Sequence, residues 1–129
     1  MAGETRLAPI AELLGVRPVS AGGGEARVEM DAGPRLHNAM GILHGGVVLD
    51  LADVAMGAAL ATVVDEGETF ATVSSTVAYL RPVREGRLTA AARVVHRGRT
   101  TAHLECDLAN ADGELVARVG SVSAIRRAG

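Results

Sequence analysis

Residues 46–64 read GVVLDLADVAMGAALATVV, and this stretch decides the fold. Its length and its alanine and leucine content make it helical, and it is apolar nearly all round. Such a helix is buried rather than laid on a surface. Its only ionisable groups, Asp50 and Asp53, stand three apart and share one face. Asp65-Glu66-Gly67 ends it, and no second long helix follows. Upstream, residues 5–14 suit a short helix whose start Pro9 limits, and residues 20–24 suit a flexible turn. Residues 25–30 alternate, with Ala26, Val28 and Met30 on one side and Glu25, Arg27 and Glu29 on the other, the pattern of a half-buried strand. Residues 31–41 are irregular, with Gly33-Pro34 as a turn signal.

Beyond residue 67 everything reads as strand. Residues 69–80 are rich in threonine, valine and serine and stop at Pro82. Residues 87–97 follow a turn at Gly86. Residues 101–108 alternate after the hairpin connection Arg97-Gly98-Arg99-Thr100. Residues 114–125 follow a turn at Asn110-Ala111-Asp112-Gly113, and a short basic tail closes the chain at 126–129. The predicted order is strand, one long buried helix, then four antiparallel strands in a meander. One strongly curved antiparallel sheet can wrap such a helix, so the fold class is α+β.

The composition fits a small single domain over residues 1–129, with residues 1–20 as an N-terminal helical extension. Of the 129 residues 48% are hydrophobic, yet Phe70 and Tyr79 are the only aromatics and there is no tryptophan. Alanine, valine and glycine dominate instead, so the core is built from small aliphatic groups. Large aromatic anchors bury ~150–250 Å² each. Without them a second subunit is expected to cover part of the apolar surface. A net charge of −2 and two aromatics give no basic footprint and no stacking platform for nucleic acid. A single cysteine, Cys106, excludes an internal disulfide and a four-cysteine zinc site, and a reducing cytoplasm is the natural compartment. It falls on the apolar face of its strand, where a thiol is inert. The apolar run around the helix is too short to span a bilayer, which needs ~20 residues.

Chemistry concentrates in residues 37–53, HNAMGILHGGVVLDLAD. His44-Gly45-Gly46 leads into the helix, whose first turn leaves backbone N–H groups unpaired with a partial positive charge behind them. Glycine lets a ligand approach that backbone closely, so an oxyanion or a polarised carbonyl can be held there. The plainer reading is that the two glycines only allow tight packing. Asp50 lies near the helix start, where an acid suits the dipole. Asp53 sits in the second turn of an apolar helix, where an unpaired carboxylate is costly. It reads as a base or nucleophile in a partly desolvated site, or as half of a salt bridge across a subunit interface. His44 has a plainer reading as a satisfied histidine and Asn38 as a turn residue. No histidine, cysteine or acid spacing matches a metal site. Six arginines, Arg81, Arg84, Arg87, Arg93, Arg97 and Arg99, fall within nineteen residues holding one acid, Glu85. They form either a solvated strand edge or a patch for a phosphorylated ligand.

Taken together, Asn38, His44-Gly45-Gly46, Asp53 nine residues after His44, and a strand ending Tyr79-Leu80-Arg81-Pro82 resemble the hotdog-fold acyl-CoA thioesterases, in particular the phenylacetic-acid-degradation (PaaI-like) type. The resemblance runs from about residue 25 to 125 and includes Gly98-Arg99-Thr100 and Asp112-Gly113-Glu114-Leu115. It implies a hotdog fold and hydrolysis of acyl-CoA to free acid and coenzyme A, with no cofactor. By the same resemblance Asp53 is general base or nucleophile and the Gly45 N–H polarises the thioester carbonyl. Asn38 and His44 orient water or the thioester, and Thr72 supplies an assisting hydroxyl, with Ser74 as the second choice. Gly46, Arg81, Arg84, Gly98 and Arg99 would receive the substrate, the arginines at its nucleotide end. The resemblance also implies a homodimer that assembles the site, with Asp53 facing the Gly45 of the other copy, and pairs joined into homotetramers. Two rivals share this groove: a hotdog enoyl-CoA hydratase or dehydratase, and a non-catalytic acyl-CoA-binding module. Small residues such as Ala58, Ala61 and Ala71 fit an aryl or a medium-chain acyl group equally.

Overall fold

A computed structural model describes residues 8–127. The long helix, α2, spans Gly45–Ala61. Seventeen residues at ~1.5 Å each make it about 25 Å long. Its buried residues, Val48, Leu51, Ala52, Ala55, Met56, Ala59 and Leu60, recur at three- and four-residue steps and form one stripe. That stripe packs on three strands, Glu25–Ala32 (β2), Gly86–Arg97 (β4) and Thr101–Ala109 (β5). The opposite stripe carries Asp50, Asp53 and Ala61, and all three are exposed in the single chain. The sheet thus wraps one side of the helix, and the side bearing both aspartates stays open in the single chain. Alanine and glycine line both faces, and hydrophobic periodicity does not say whether sheet or partner covers a face. Thr62 ends the helix: its hydroxyl donates to the Ala59 carbonyl (2.7 Å) and accepts from the Gly24 N–H (2.8 Å), tying this end to the first hairpin.

The sheet has six antiparallel strands in the order β1-β2-β4-β5-β6-β3, with β1 at Arg17–Gly22, β3 at Glu68–Tyr79 and β6 at Leu115–Arg127. The alternations in β2 and β5 match the sequence reading, with Ala26, Val28, Met30, Ala102, Leu104, Cys106 and Leu108 buried against α2. Three features differ from that reading. The first helix, α1, is confined to Pro9–Leu14, and residues 17–22, assigned to a helical extension and a turn, form the edge strand β1. Gly23 and Gly24, both at positive φ, close the β1–β2 hairpin, as a two-residue primed turn requires. Residues 5–7 of the expected helix and 128–129 of the expected tail lie outside the described residues, and β6 continues through Arg127. The meander holds only for β4, β5 and β6, because β3 pairs with β6 at the far edge.

The β3–β4 connection therefore crosses three inter-strand gaps, about 14 Å, which its six residues span when extended. Pro82 lies within it and favours that extended course. Its Val83 carbonyl accepts from the Leu43 N–H (2.7 Å), which docks the loop preceding α2. Among the described residues, twelve-residue β3 thus has one neighbour, little helix cover and an open edge, with Val73 and Tyr79 more than half exposed. Among the described residues no helix is long and apolar enough to cross a membrane.

At the head of β3, the Glu68 carboxylate accepts from the Asp65 N–H (2.6 Å) and pairs with the Arg97 guanidinium, its side chain only 6% exposed. The Asp65 N–H first, then Arg97, hold its carboxyl below the usual range. A carboxyl depressed on folding stabilises above its unfolded value near 4.5, and that contribution is lost as pH falls through the depressed value. Glu68→Gln is thus expected to lower Tm by a few degrees at pH 7. The gap to the parent should close in acid, which thermal melts across pH would read.

Candidate active site

Residues 37–44 form a closed loop that delivers the chain to α2. Asn38 donates its N–H to the Ile42 carbonyl (2.8 Å), and its side-chain oxygen accepts from the N–H groups of Met40 (2.9 Å) and Ile42 (3.4 Å). This is the turn role open to asparagine, and it leaves only the amide nitrogen for a ligand. His44 caps the helix: its Nδ1 accepts from the Gly46 N–H at 2.9 Å. That nitrogen must be bare to accept, so His44 is neutral there and carries its proton on Nε2.

The two glycines have separate tasks. Gly46, expected to receive substrate, has its N–H occupied by His44, and a Cβ at this position would stand 3.0 Å from Nδ1. The Gly45 N–H finds no acceptor among the described residues, which makes it the open donor of the first turn. It borders a cleft of about 320 Å³ lined by Asn38, Ile42, Leu43, Gly45, Val48, Tyr79, Leu80, Arg81, Pro82, Val83 and Val116. Tyr79, which the sequence offered only as part of a motif, closes one side. Its hydroxyl donates to the Gly45 carbonyl at 2.7 Å.

Asp53 occupies a second depression of about 240 Å³ with Met56, Gly57, Phe70, Ala71, Thr72 and Ser123. Its Oδ1 accepts from the Thr72 hydroxyl at 3.1 Å. Thr72, not Ser74, makes this bond, and the sheet register shifts between these two residues, a bulge of the kind that re-aims side chains. Asp53 is exposed in the single chain, so the partly desolvated setting expected for it is absent there. Partial desolvation of the Asp50 carboxyl, and then the nearby Asp53 charge, push Asp50 above the usual carboxylate range. Eight residues separate Gly45 from Asp53, about 12 Å along the helix axis. One chain does not bring this donor and this carboxylate to one carbonyl.

The arginines do not form one patch in the single chain. Arg81 and Arg84 precede β4, whereas Gly98 and Arg99 follow it, and eleven strand steps separate the two ends by about 36 Å. Arg93 pairs with Glu105 and Arg97 with Glu68, acids distant in sequence that cancel much of the local excess. Arg81 lies 3.7 Å from Glu114, and the Arg84 and Arg99 side chains stand exposed. Gly98 belongs to its hairpin, where a Cβ would meet the Thr101 carbonyl at 3.1 Å. Burial pushes the Cys106 thiol up to about 12, which removes it as a nucleophile. No group of three or more histidine, cysteine or acidic side chains able to hold a metal converges among the described residues.

Residues 40–117 match the thioesterase superfamily, and they contain Gly45, Asp53, Thr72 and Tyr79. The chain belongs to the thioesterase superfamily. As a member it is a thioester hydrolase built on the hotdog fold. It is similar to human acyl-coenzyme A thioesterase 13, 34% identical over 103 residues that cover 78% of this chain and 72% of that protein. An esterase of Pseudomonas aeruginosa, PA1618, is 33% identical over 106 residues, covering 81% and 73%. Among solved structures, the Escherichia coli PaaI protein from the phenylacetic acid degradation operon superposes with a TM-score of 0.85 at 29% identity, covering 95% of this chain and 86% of that one. Within this thioesterase, the structure joins Thr72 to Asp53 and His44 to Gly46, residues the sequence singles out, and adds the Tyr79 hydroxyl, which it does not. A strand-end tyrosine carries no local signal of a bond to a residue 34 positions earlier.

Proposed function

We propose that this thioesterase hydrolyses acyl-CoA at a site completed by a second copy of the chain. The Gly45 N–H of one copy polarises the thioester carbonyl, and Asp53 of the other either attacks it or activates water. Water activated by Asp53 adds to the carbonyl carbon and expels the coenzyme A thiolate, or Asp53 adds, expels the thiolate and forms an anhydride that water then cleaves. Either way one water is consumed, its oxygen goes to the free acid and a proton to the thiol. The observation that carries this reading is the open Gly45 donor at a helix N-terminus, some 12 Å from the carboxylate it would work with. Two chains paired along the open β3 edge around a two-fold axis would run that helix antiparallel to its copy, bringing the two groups together.

The remaining parts fit around that carbonyl. Thr72 holds the Asp53 carboxylate through Oδ1 and leaves Oδ2 to act. Neutral His44 presents Nε2–H, and Asn38 its amide, to orient water or the thioester. Arg81 and Arg84 of one copy and Arg99 of the other offer guanidinium forks to the coenzyme A phosphates. Further pairing into tetramers and a cytoplasmic location belong to the same reading. A relative named for acyl-coenzyme A supports coenzyme A esters as the substrate class.

A panel of benzoyl-, phenylacetyl- and medium-chain acyl-CoA, read by free thiol, tests the proposal. Thiol release from at least one member is expected, and silence across the panel overturns it. Addition of water to an enoyl-CoA without thiol release would favour the hydratase reading. Tight binding without turnover would favour a binding module.

A further inference from the structure

Two glycines in a first turn are weak helix formers, free to adopt many backbone conformations. An activating N–H on such a turn needs restraint, because a preorganised donor is what lowers the barrier. In this chain the Gly45–Gly46 peptide is held at both ends. Its carbonyl accepts from the Tyr79 hydroxyl at 2.7 Å, and its N–H donates to His44 Nδ1 at 2.9 Å. The phenol also lies close against Gly45, where an added Cβ would stand 3.0 Å from the hydroxyl and 3.1 Å from Cζ. With that peptide fixed, the next N–H back along the chain, that of Gly45, is the one left open to the cleft.

We propose that Tyr79 is a positioning residue for thioester hydrolysis: with His44 it locks the Gly45–Gly46 peptide and so aims the Gly45 N–H at the reacting carbonyl. The inference rests on the reading of Gly45 as carbonyl activator. Tyr79 touches no reacting atom itself. Its hydroxyl acts through the backbone, and its ring walls the cleft.

Tyr79→Phe keeps the ring and removes the clamp. On the acyl-CoA that the parent hydrolyses best, kcat is expected to fall about three- to ten-fold with KM changed by less than about two-fold. A merely structural tyrosine would change stability or KM and leave this split absent. A second measurement needs no turnover. A carbonyl-¹³C ketone analogue, with CH₂ in place of the thioester sulfur, is bound to each protein and its carbonyl stretch recorded. The downshift on binding is expected to be smaller in Tyr79→Phe than in the parent. Unchanged kcat, or an equal downshift, overturns the role of Tyr79 while acyl-CoA hydrolysis by the parent stands. A parent that binds the analogue but hydrolyses no acyl-CoA overturns the proposed function instead, and the carbonyl shift still decides the clamp. Should Tyr79→Phe fail to fold, the chain has one tyrosine, so growth on 3-fluorotyrosine labels position 79 alone. A fluorine resonance that moves on binding the analogue is expected, and an unmoved line overturns the proposal.

Discussion

Asp53→Asn is expected to lower kcat/KM for the best acyl-CoA about 10³-fold, the scale on which a lost general base or nucleophile is felt. That is about 4 kcal/mol of transition-state stabilisation. Asparagine keeps the shape of the side chain and an oxygen to accept from the Thr72 hydroxyl, so the geometry at 3.1 Å survives. What disappears is the negative charge and the basicity. The fold should be indifferent, because Asp53 is exposed on the stripe of α2 that its own sheet leaves uncovered. Stability should even rise slightly, since the Asp53 charge acts on Asp50 one turn away. Steady-state rates by free thiol, with Tm measured beside them, make the check. A rate within ten-fold of the parent would sink the role assigned to Asp53, and a collapse in Tm would show that the carboxylate is structural.

Much of this site was legible in the sequence because its signals are local. A long alanine- and leucine-rich apolar run, strict alternation in β2 and β5, and a glycine pair at a helix start are each read within a few residues. What escaped depends on contacts distant in sequence. Residues 17–22 include Pro18 and Gly22 and show no alternation, since both faces of edge strand β1 are exposed. The placement of β3 beside β6 is a choice of pairing that strand composition does not encode. The arginine excess between residues 81 and 99 fits a solvated edge or a patch equally in the sequence, because Glu68 and Glu105, the partners of Arg97 and Arg93, come from other strands. Asp53 stands out in the sequence as a carboxylate on an apolar helix, and the face that carries it stays open in the single chain.

That open face leads to the sharpest expectation. Asp53→Asn and Gly45→Pro are each expected to be nearly inactive alone, and to recover about a quarter of parental activity when refolded together, since a quarter of randomly assembled sites are intact. Gly45→Pro is chosen because it removes the open N–H at a position where the helix accepts proline. Gly45 is the first residue of α2, a position proline favours, and His44 already has the extended backbone that precedes proline (φ −61°, ψ 134°). The added carbons also press on Tyr79, whose bond to Gly45 lies within the same chain, so both losses fall on the Gly45 side of the site and the Asp53→Asn chain supplies both. In a mixed pair, the Asp53→Asn chain supplies an intact Gly45 and the Gly45→Pro chain an intact Asp53. A site assembled across two chains therefore works once in each such pair. If Gly45 and Asp53 of one chain served one carbonyl, every site in the mixture would carry a lesion and no activity would return. Losing one oxyanion donor costs about 10²–10³ in kcat, so a return to a quarter is a rise far above the background of either parent variant. Mixing without unfolding is the control, and it should stay silent for as long as subunits do not exchange.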